Sequence, residues 1–138
     1  MDGVLKEMQS HLELLGYGIS VGADDDTLIV QRSDKPLFGV FPSSGGILFM
    51  CLFDVQPETE TTNLLAFLTV LNSANEWTTV SRSYLGKSVA KTPQLRVEAW
   101  FPHWYEKTAF GRFVDTWIED LGEIAKVGKS YMKLDAQA

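Results

Sequence analysis

The chain has 138 residues, of which 45% are hydrophobic, 12% aromatic and 22% charged, an ordinary balance for a globular protein. A chain of this length can bury one core without disulfides or metals, so we expect a single domain over residues 1–138. The net charge of −6 disfavours a nucleic-acid partner, because the phosphate groups would be repelled.

A single cysteine, Cys51, excludes an intrachain disulfide and suits a reducing compartment. The N-terminal residues have no basic segment followed by a continuous apolar run, so a signal peptide is not expected. No apolar stretch reaches the roughly 20 residues that a membrane span needs. We therefore expect a cytoplasmic protein with no membrane partner.

The first predicted element is a helix over residues 3–15. At helical spacing, its apolar side chains share one side and its polar side chains lie opposite. The apolar side comprises Val4, Leu5, Met8, His11, Leu12 and Leu15. Gly16 follows, where a helix commonly ends in a left-handed conformation.

Apolar and β-branched runs predict several strands within residues 17–54. The runs TLIVQR, PLFGVFP and ILFMCLFDV form a meander of three main strands, and Asp, Ser, Gly and Pro fill the gaps. The residues near 17–21 are either a short extra strand or an extended entry to the sheet.

Residues 60–75 predict a second helix that is apolar nearly all round. Its main stripe comprises Leu64, Phe67, Leu68 and Leu71. Leu65, Ala66 and Val70 lie outside this stripe. Such a helix must be covered on more than one side. We predict that Leu65, Ala66 and Val70 form the interface with a second subunit or another partner.

The last part of the chain predicts two strands, over 78–85 and 95–101, and a long amphipathic helix over 106–127. A tail follows at 128–138. The element order is α-β-β-β-α-β-β-α. Because the strand connections are short or pass through a helix, we expect an α+β fold, with an antiparallel sheet of about five strands and three packed helices.

The sequence AWFPHWY, at 99–105, places four aromatic residues around one of only two histidines in the chain. Pro102 cannot continue a strand ladder, since it has no N–H group. The stretch is therefore interpreted as the joint where the last strand leads into the last helix. The alternative hypothesis is a small-ligand pocket lined by Trp100, His103, Trp104 and Tyr105.

The patterns typical of catalytic and metal sites are incomplete. Two histidines and one cysteine without close spacing do not make a zinc site. GKS at 86–88 lacks the first glycine of a phosphate-binding loop, where Ser81 stands. ADDD at 23–26 lacks the alternate spacing and distal glutamate of a calcium loop. We therefore predict a protein that is not an enzyme and needs no cofactor or metal.

The segments FLTVLNSANEW, TTVSRSYL, LRVEAWFP and FGRFVDTWIEDLGEI resemble the bacterial YbjN-like proteins, which share the fold of type III secretion chaperones such as the Tir chaperone. The resemblance covers nearly the whole chain in element order. It implies an antiparallel sheet backed by helices, a protein that is often a homodimer, and no catalytic residues. We expect a non-catalytic module, chaperone-like or regulatory, that binds a polypeptide partner as a homodimer. The alternative is a small-ligand sensor or minor enzyme with a pocket near 99–105.

Overall fold

The computed structural model describes residues 1–56, 63–87 and 92–129. Within these ranges, three helices and six strands follow the order α-β-β-β-β-α-β-β-α. The elements are α1 (Gly3–Leu14), β1 (Gly18–Val21), β2 (Leu28–Arg32), β3 (Lys35–Ser43), β4 (Gly46–Asp54), α2 (Leu64–Trp77), β5 (Arg82–Lys87), β6 (Pro93–Pro102) and α3 (Lys107–Val127). None of the helices in the described ranges is long and apolar enough to cross a membrane.

The six strands form one antiparallel sheet with the order β1-β2-β3-β4-β6-β5. Its two central strands, β4 and β6, pair from Gly46↔Pro102 to Asp54↔Gln94. Side chains alternate between the two faces of a strand. In β4, Ile47, Phe49, Cys51 and Phe53 are buried, whereas Leu52 and Asp54 are exposed. The buried side of the sheet therefore holds the core.

Aromatic rings occupy the centre of this core. Phe49 and Trp117 are both fully buried, and their ring centroids lie 5.8 Å apart. Phe49 also contacts Phe38 at 5.8 Å and Phe113 at 5.0 Å. The predicted apolar face of the last helix thus packs directly on β3 and β4, while α1 contributes the buried Leu5, Met8 and Leu12.

The ends of the outer helices follow from local hydrogen bonding. The Asp2 carboxylate accepts from the Val4 and Leu5 N–H groups, and the Glu106 carboxylate accepts from those of Thr108 and Ala109. These bonds satisfy N–H groups that have no partner inside a helix. At the other end of α1, Gly16 adopts φ +97°, the left-handed conformation that its position predicted.

The predicted strand count was one too low. Residues Gly18–Val21 form a full member of the sheet, since they pair with β2 from Gly18↔Gln31 to Val21↔Leu28. Four strands therefore lie within 17–54, and of the two alternatives for residues 17–21 the short extra strand is correct rather than the extended entry. The α+β class, the antiparallel sheet and the three helices are as predicted.

Some boundaries also differ. The strand predicted at 78–85 begins only at Arg82, because residues 79–81 turn aside to bind a buried carboxylate. The strand predicted at 95–101 extends over Pro93–Pro102, since β4 pairs with most of that length. The second helix runs on to Trp77, and its predicted start at 60–62 lies outside the described residues, as do residues 130–138 of the tail.

Candidate interaction surface

The helix α2 turns only part of its apolar surface toward the core. Phe67, Leu71 and Ala74 are buried against the rest of the protein. On the other side, Leu65 is 80% exposed and Trp77 is 76% exposed. Large apolar side chains in water are candidates for contact with a partner, particularly when several lie on one element.

The three residues predicted to form an interface all belong to α2. Leu65 and Ala66 are exposed, and Val70 is partly buried. Ala66 and Val70 are four residues apart, so they are neighbours on one helix face, whereas Leu65 projects about 100° away from Ala66 around the helix, so the three residues span about 140° of its surface. Leu68, which belongs to the main apolar stripe predicted for this helix, is 42% exposed and enlarges the apolar surface.

A groove separates the outer sides of α2 and α3. Its volume is about 510 Å³, and most of the surface that lines it is apolar. The lining residues are Thr69, Val70, Ser73, Ala74, Trp77, Glu123, Lys126 and Val127. A second depression lies on the other side of Trp77 and is bordered by Thr79, Glu119, Gly122 and Glu123. We refer to these two depressions together as the α2–α3 groove.

The buried Asp120 fixes the connection between α2 and β5. Its carboxylate accepts hydrogen bonds from the N–H groups of Thr79, Val80 and Ser81 at 2.9–3.1 Å, and from the Ser81 hydroxyl at 2.6 Å. The side chain is only 4% exposed, and these donors compensate for the loss of water. Because Trp77 directly precedes this connection, Asp120 also helps to hold Trp77 at the edge of the groove.

Sequence reasoning missed Asp120. On the helical wheel, Asp120 lies about 40° from Ile124 and about 60° from Trp117, which both face the core. A lone carboxylate at a core position requires buried donors. That position was the available signal, although the sequence does not reveal which N–H groups supply the donors.

The side chain of Asn75 occupies the free edge of β5. Its amide oxygen accepts from the Ser83 N–H at 2.7 Å, and its amide nitrogen donates to the Ser83 carbonyl at 3.1 Å. An unpaired strand edge is a template for pairing with another chain. Asn75 therefore covers part of this edge from within the chain and ties α2 to the sheet.

The aromatic residues of the 99–105 stretch do not all share one environment. Trp104 stacks on Phe101, with ring centroids 6.4 Å apart, and the hydroxyl of Tyr105 lies 2.9 Å from Nδ1 of His11. Side chains alternate along β6, so Trp100 projects from the face opposite to that of Phe101. Its ring lies over Gly46, where a Cβ on that glycine would collide with it. The structure thus separates Trp100 from the aromatics on the helix side.

Both histidines contact residues that are distant from them in the sequence. His103 Nε2 lies 2.7 Å from the Asp2 carboxylate, and this hydrogen bond is the main cause that lowers the pKa of Asp2. His11 packs edge-on against Phe110, and burial lowers the pKa of its imidazole. The two side chains therefore join α1 to the start of α3, as structural contacts would.

The aspartates of the ADDD stretch, at 23–26, make structural contacts. Asp24, Asp25 and Asp26 form the turn between β1 and β2, where Asp24 accepts from the Asp26 N–H and Asp25 pairs with the N-terminal amine. Within the described ranges, no group of three or more His, Cys, Asp or Glu side chains is arranged to hold a metal ion.

Cys51 will react slowly with thiol reagents in the folded protein. Burial raises the pKa of its thiol to about 12, and Sγ donates to the Leu37 carbonyl at 3.3 Å. Since the thiolate is the reactive form, we expect modification by a disulfide reagent at pH 8 to be at least about a hundredfold slower than in denaturant. Equal rates with and without denaturant would show that Cys51 is accessible and activated.

No family model matches the chain, and no curated protein matches it. Several solved structures are similar to it, including the following two. YbjN from E. coli, described as a candidate transcription regulator, has a TM-score of 0.70 at 17% sequence identity, with 94% of this chain and 95% of that chain covered. A chain of the heterodimeric complex ExoU–SpcU, from the type III secretion system of Pseudomonas aeruginosa, has a TM-score of 0.53 at 20% identity, with 86% and 94% covered.

These similarities establish the fold. The protein has the YbjN-like, type III secretion chaperone-like fold that the sequence resemblance predicted. The match spans nearly the full length of both neighbours, so the helices and the sheet belong to one shared arrangement.

Proposed function

We propose that this protein is a non-catalytic, cytoplasmic interaction module that binds a polypeptide partner and forms a homodimer through the exposed face of α2. The observation that carries the proposal is the exposure of Leu65, at 80%, beside the exposed Ala66. Burial of one leucine side chain stabilises an association by about 1.5–3 kcal/mol. Contact with a partner would bury this surface.

The composition of α2 supports an interface on this helix. Its only charged residue is Glu76, near the C-terminal end, so the half that carries Leu65, Ala66 and Val70 is uncharged. Covering that half requires no burial of an unpaired charge. The small side chain of Ala66 also allows a second helix to approach closely. An interface of this kind between two copies would use the same residues on both subunits.

The fold similarity supports a binding role as well. One similar structure is a chain of the heterodimeric ExoU–SpcU complex from a type III secretion system, so that protein assembles with another protein. Our proposal extends polypeptide binding to this chain because it combines the same fold with apolar side chains left in water. The proposal assigns the function to surface contacts rather than to a reacting group.

The polypeptide partner should be captured by the wild-type protein and lost on Leu65→Glu. The purified protein serves as bait for affinity capture with mass spectrometry, because a carboxylate at this position opposes apolar contact. Leu14→Glu is the matched control, since Leu14 on α1 is 87% exposed and the change in charge is identical. Repeated recovery of no specific protein, or equal recovery with Leu65→Glu, would count against the proposal.

A further inference from the structure

We propose that the α2–α3 groove recognises a polypeptide segment that presents an apolar side chain next to a lysine or arginine. This inference rests on the proposed function and adds the chemistry of the partner. It concerns a surface that shares Val70 with the proposed dimer interface and extends from there to Trp77 and α3, and it is carried by the distribution of apolar and charged groups along the groove.

The deeper part of the groove suits an apolar anchor. Ala74 and Val127 line it, and the ring of Trp77 forms one wall. Trp77 is 76% exposed and Val127 is 42% exposed, so both remain accessible to a partner. Tryptophan is enriched among the few residues that contribute most of the binding free energy at an interface.

The charged residues of the groove favour a positively charged group next to the apolar side chain of the bound segment. Glu119 and Glu123 are exposed on α3 beside Trp77, and in the part of the chain described neither carboxylate is seen to make a salt bridge. Gly122 lies between them with open space above its Cα, so a ligand can approach the helix closely. A cation placed here would face two carboxylates and the ring of Trp77.

The groove also has a direction. The first depression joins Thr69 and Val70 to Lys126 and Val127, whereas the second joins Trp77 and Thr79 to Glu119. The helices α2 and α3 therefore run antiparallel, and the lysine lies at the opposite end from Glu119. Seven residues of helix separate Glu119 and Lys126, or roughly 10 Å. A bound segment would place its basic residue at the Trp77 end.

The test is calorimetric titration of the full chain with two synthetic amphipathic peptides of equal length. One contains leucine and lysine, and the other contains leucine and glutamate in the same pattern. We expect the lysine peptide to bind at least about tenfold more tightly than the glutamate peptide. We also expect Trp77→Ala to weaken binding of the lysine peptide at least about tenfold, because it removes the aromatic wall.

A charge-reversed pair of variants separates local recognition from attraction by the whole acidic molecule. Glu119→Lys with Glu123→Lys should weaken binding of the lysine peptide at least about tenfold. Glu7→Lys with Glu13→Lys, at exposed positions of α1, is the matched control and should retain the affinity. Each substitution adds two charges, so both double variants change the net charge from −6 to −2. Circular dichroism verifies that each variant is folded.

Four results would overturn the inference: no binding of the lysine peptide, equal binding of the glutamate peptide, unchanged affinity in Trp77→Ala, or an equal loss of affinity in the α1 control. Much tighter binding by a chain that ends at Lys129 would also overturn it, because the groove would then be assigned to residues 130–138 of the same chain. Loss of capture on Leu65→Glu, with any of these results, would leave the proposed function intact and reject only the groove.

Discussion

Replacement of Asp120 by alanine is expected to lower the free energy of unfolding by at least about 3 kcal/mol, the largest loss that we predict for one polar side chain. The change removes the acceptor of three backbone N–H groups and one hydroxyl group in a site that is nearly closed to water. Each buried donor left without a partner costs about 1–3 kcal/mol.

Partial relaxation of the connection at 79–81 will recover some of this energy, because Thr79 is exposed and can reach water. The Ser81 N–H and hydroxyl cannot do so without displacing β5, since Ser81 is 8% exposed. Asp120→Asn, which retains one oxygen acceptor, should therefore fall between the wild type and alanine.

Thermal and urea unfolding measure this effect. A loss of 3 kcal/mol corresponds to a decrease of about 10 °C in the melting temperature of a protein of this size. Asp115→Ala is the control, because Asp115 is exposed on the same helix and its replacement should change the stability by less than about 0.5 kcal/mol. Equal stability of Asp120→Ala and the wild type would contradict the role assigned to this carboxylate.

Leu65→Glu and Val70→Glu, each introduced alone, are expected to raise the dissociation constant of the dimer at least about a hundredfold. Burial of one unpaired charge costs several kcal/mol, and about 2.7 kcal/mol corresponds to this factor. By two-fold symmetry the substitution places a second carboxylate in the same interface, which increases the repulsion. Sedimentation equilibrium measures the dissociation constant directly.

Leu14→Glu again provides the control, because this exposed leucine lies on α1 and outside the proposed interface. Its dissociation constant should equal that of the wild type. Circular dichroism is needed for Val70→Glu in particular, since Val70 is partly buried within the protein. Dimers that persist in both α2 variants would show that another surface joins the subunits.

Helical periodicity predicted the framework well. In α3, which was predicted to be amphipathic, Phe110, Phe113, Trp117 and Leu121 are buried, because an amphipathic helix has only one side that it can turn to a sheet. The resemblance stated for the chain also predicted the shared fold, which the similar solved structures confirm. The buried side of α3 follows from the spacing of residues along the sequence, whereas the shared fold follows from the resemblance.

The connection after α2 was less predictable. Residues 78–81 have the composition of a strand, yet they leave the sheet because Asp120, some 40 residues later, provides a stronger acceptor. Nothing local at 79–81 records this contact. Two other features were not predicted for the same reason: the contact of the Asn75 amide with the edge of β5, and the α2–α3 groove. Both depend on how elements that are distant in the sequence pack together.

The aromatic stretch at 99–105 illustrates both cases. Pro102 ends β6, and Phe101 packs against Phe110 and Phe113, as expected where a strand leads into a helix. The partner of His103, however, is Asp2 at the start of the chain. This contact joins residues that are 101 positions apart, and nothing in the sequence around His103 predicted it.

The molar mass in solution, from size-exclusion chromatography with light scattering, tests the central claim most directly. We predict a mass near twice 15.4 kDa for the wild-type protein, because the exposed face of α2 would be covered by a second copy. A mass of 15.4 kDa at concentrations well above the micromolar range would contradict a homodimer formed through Leu65, Ala66 and Val70.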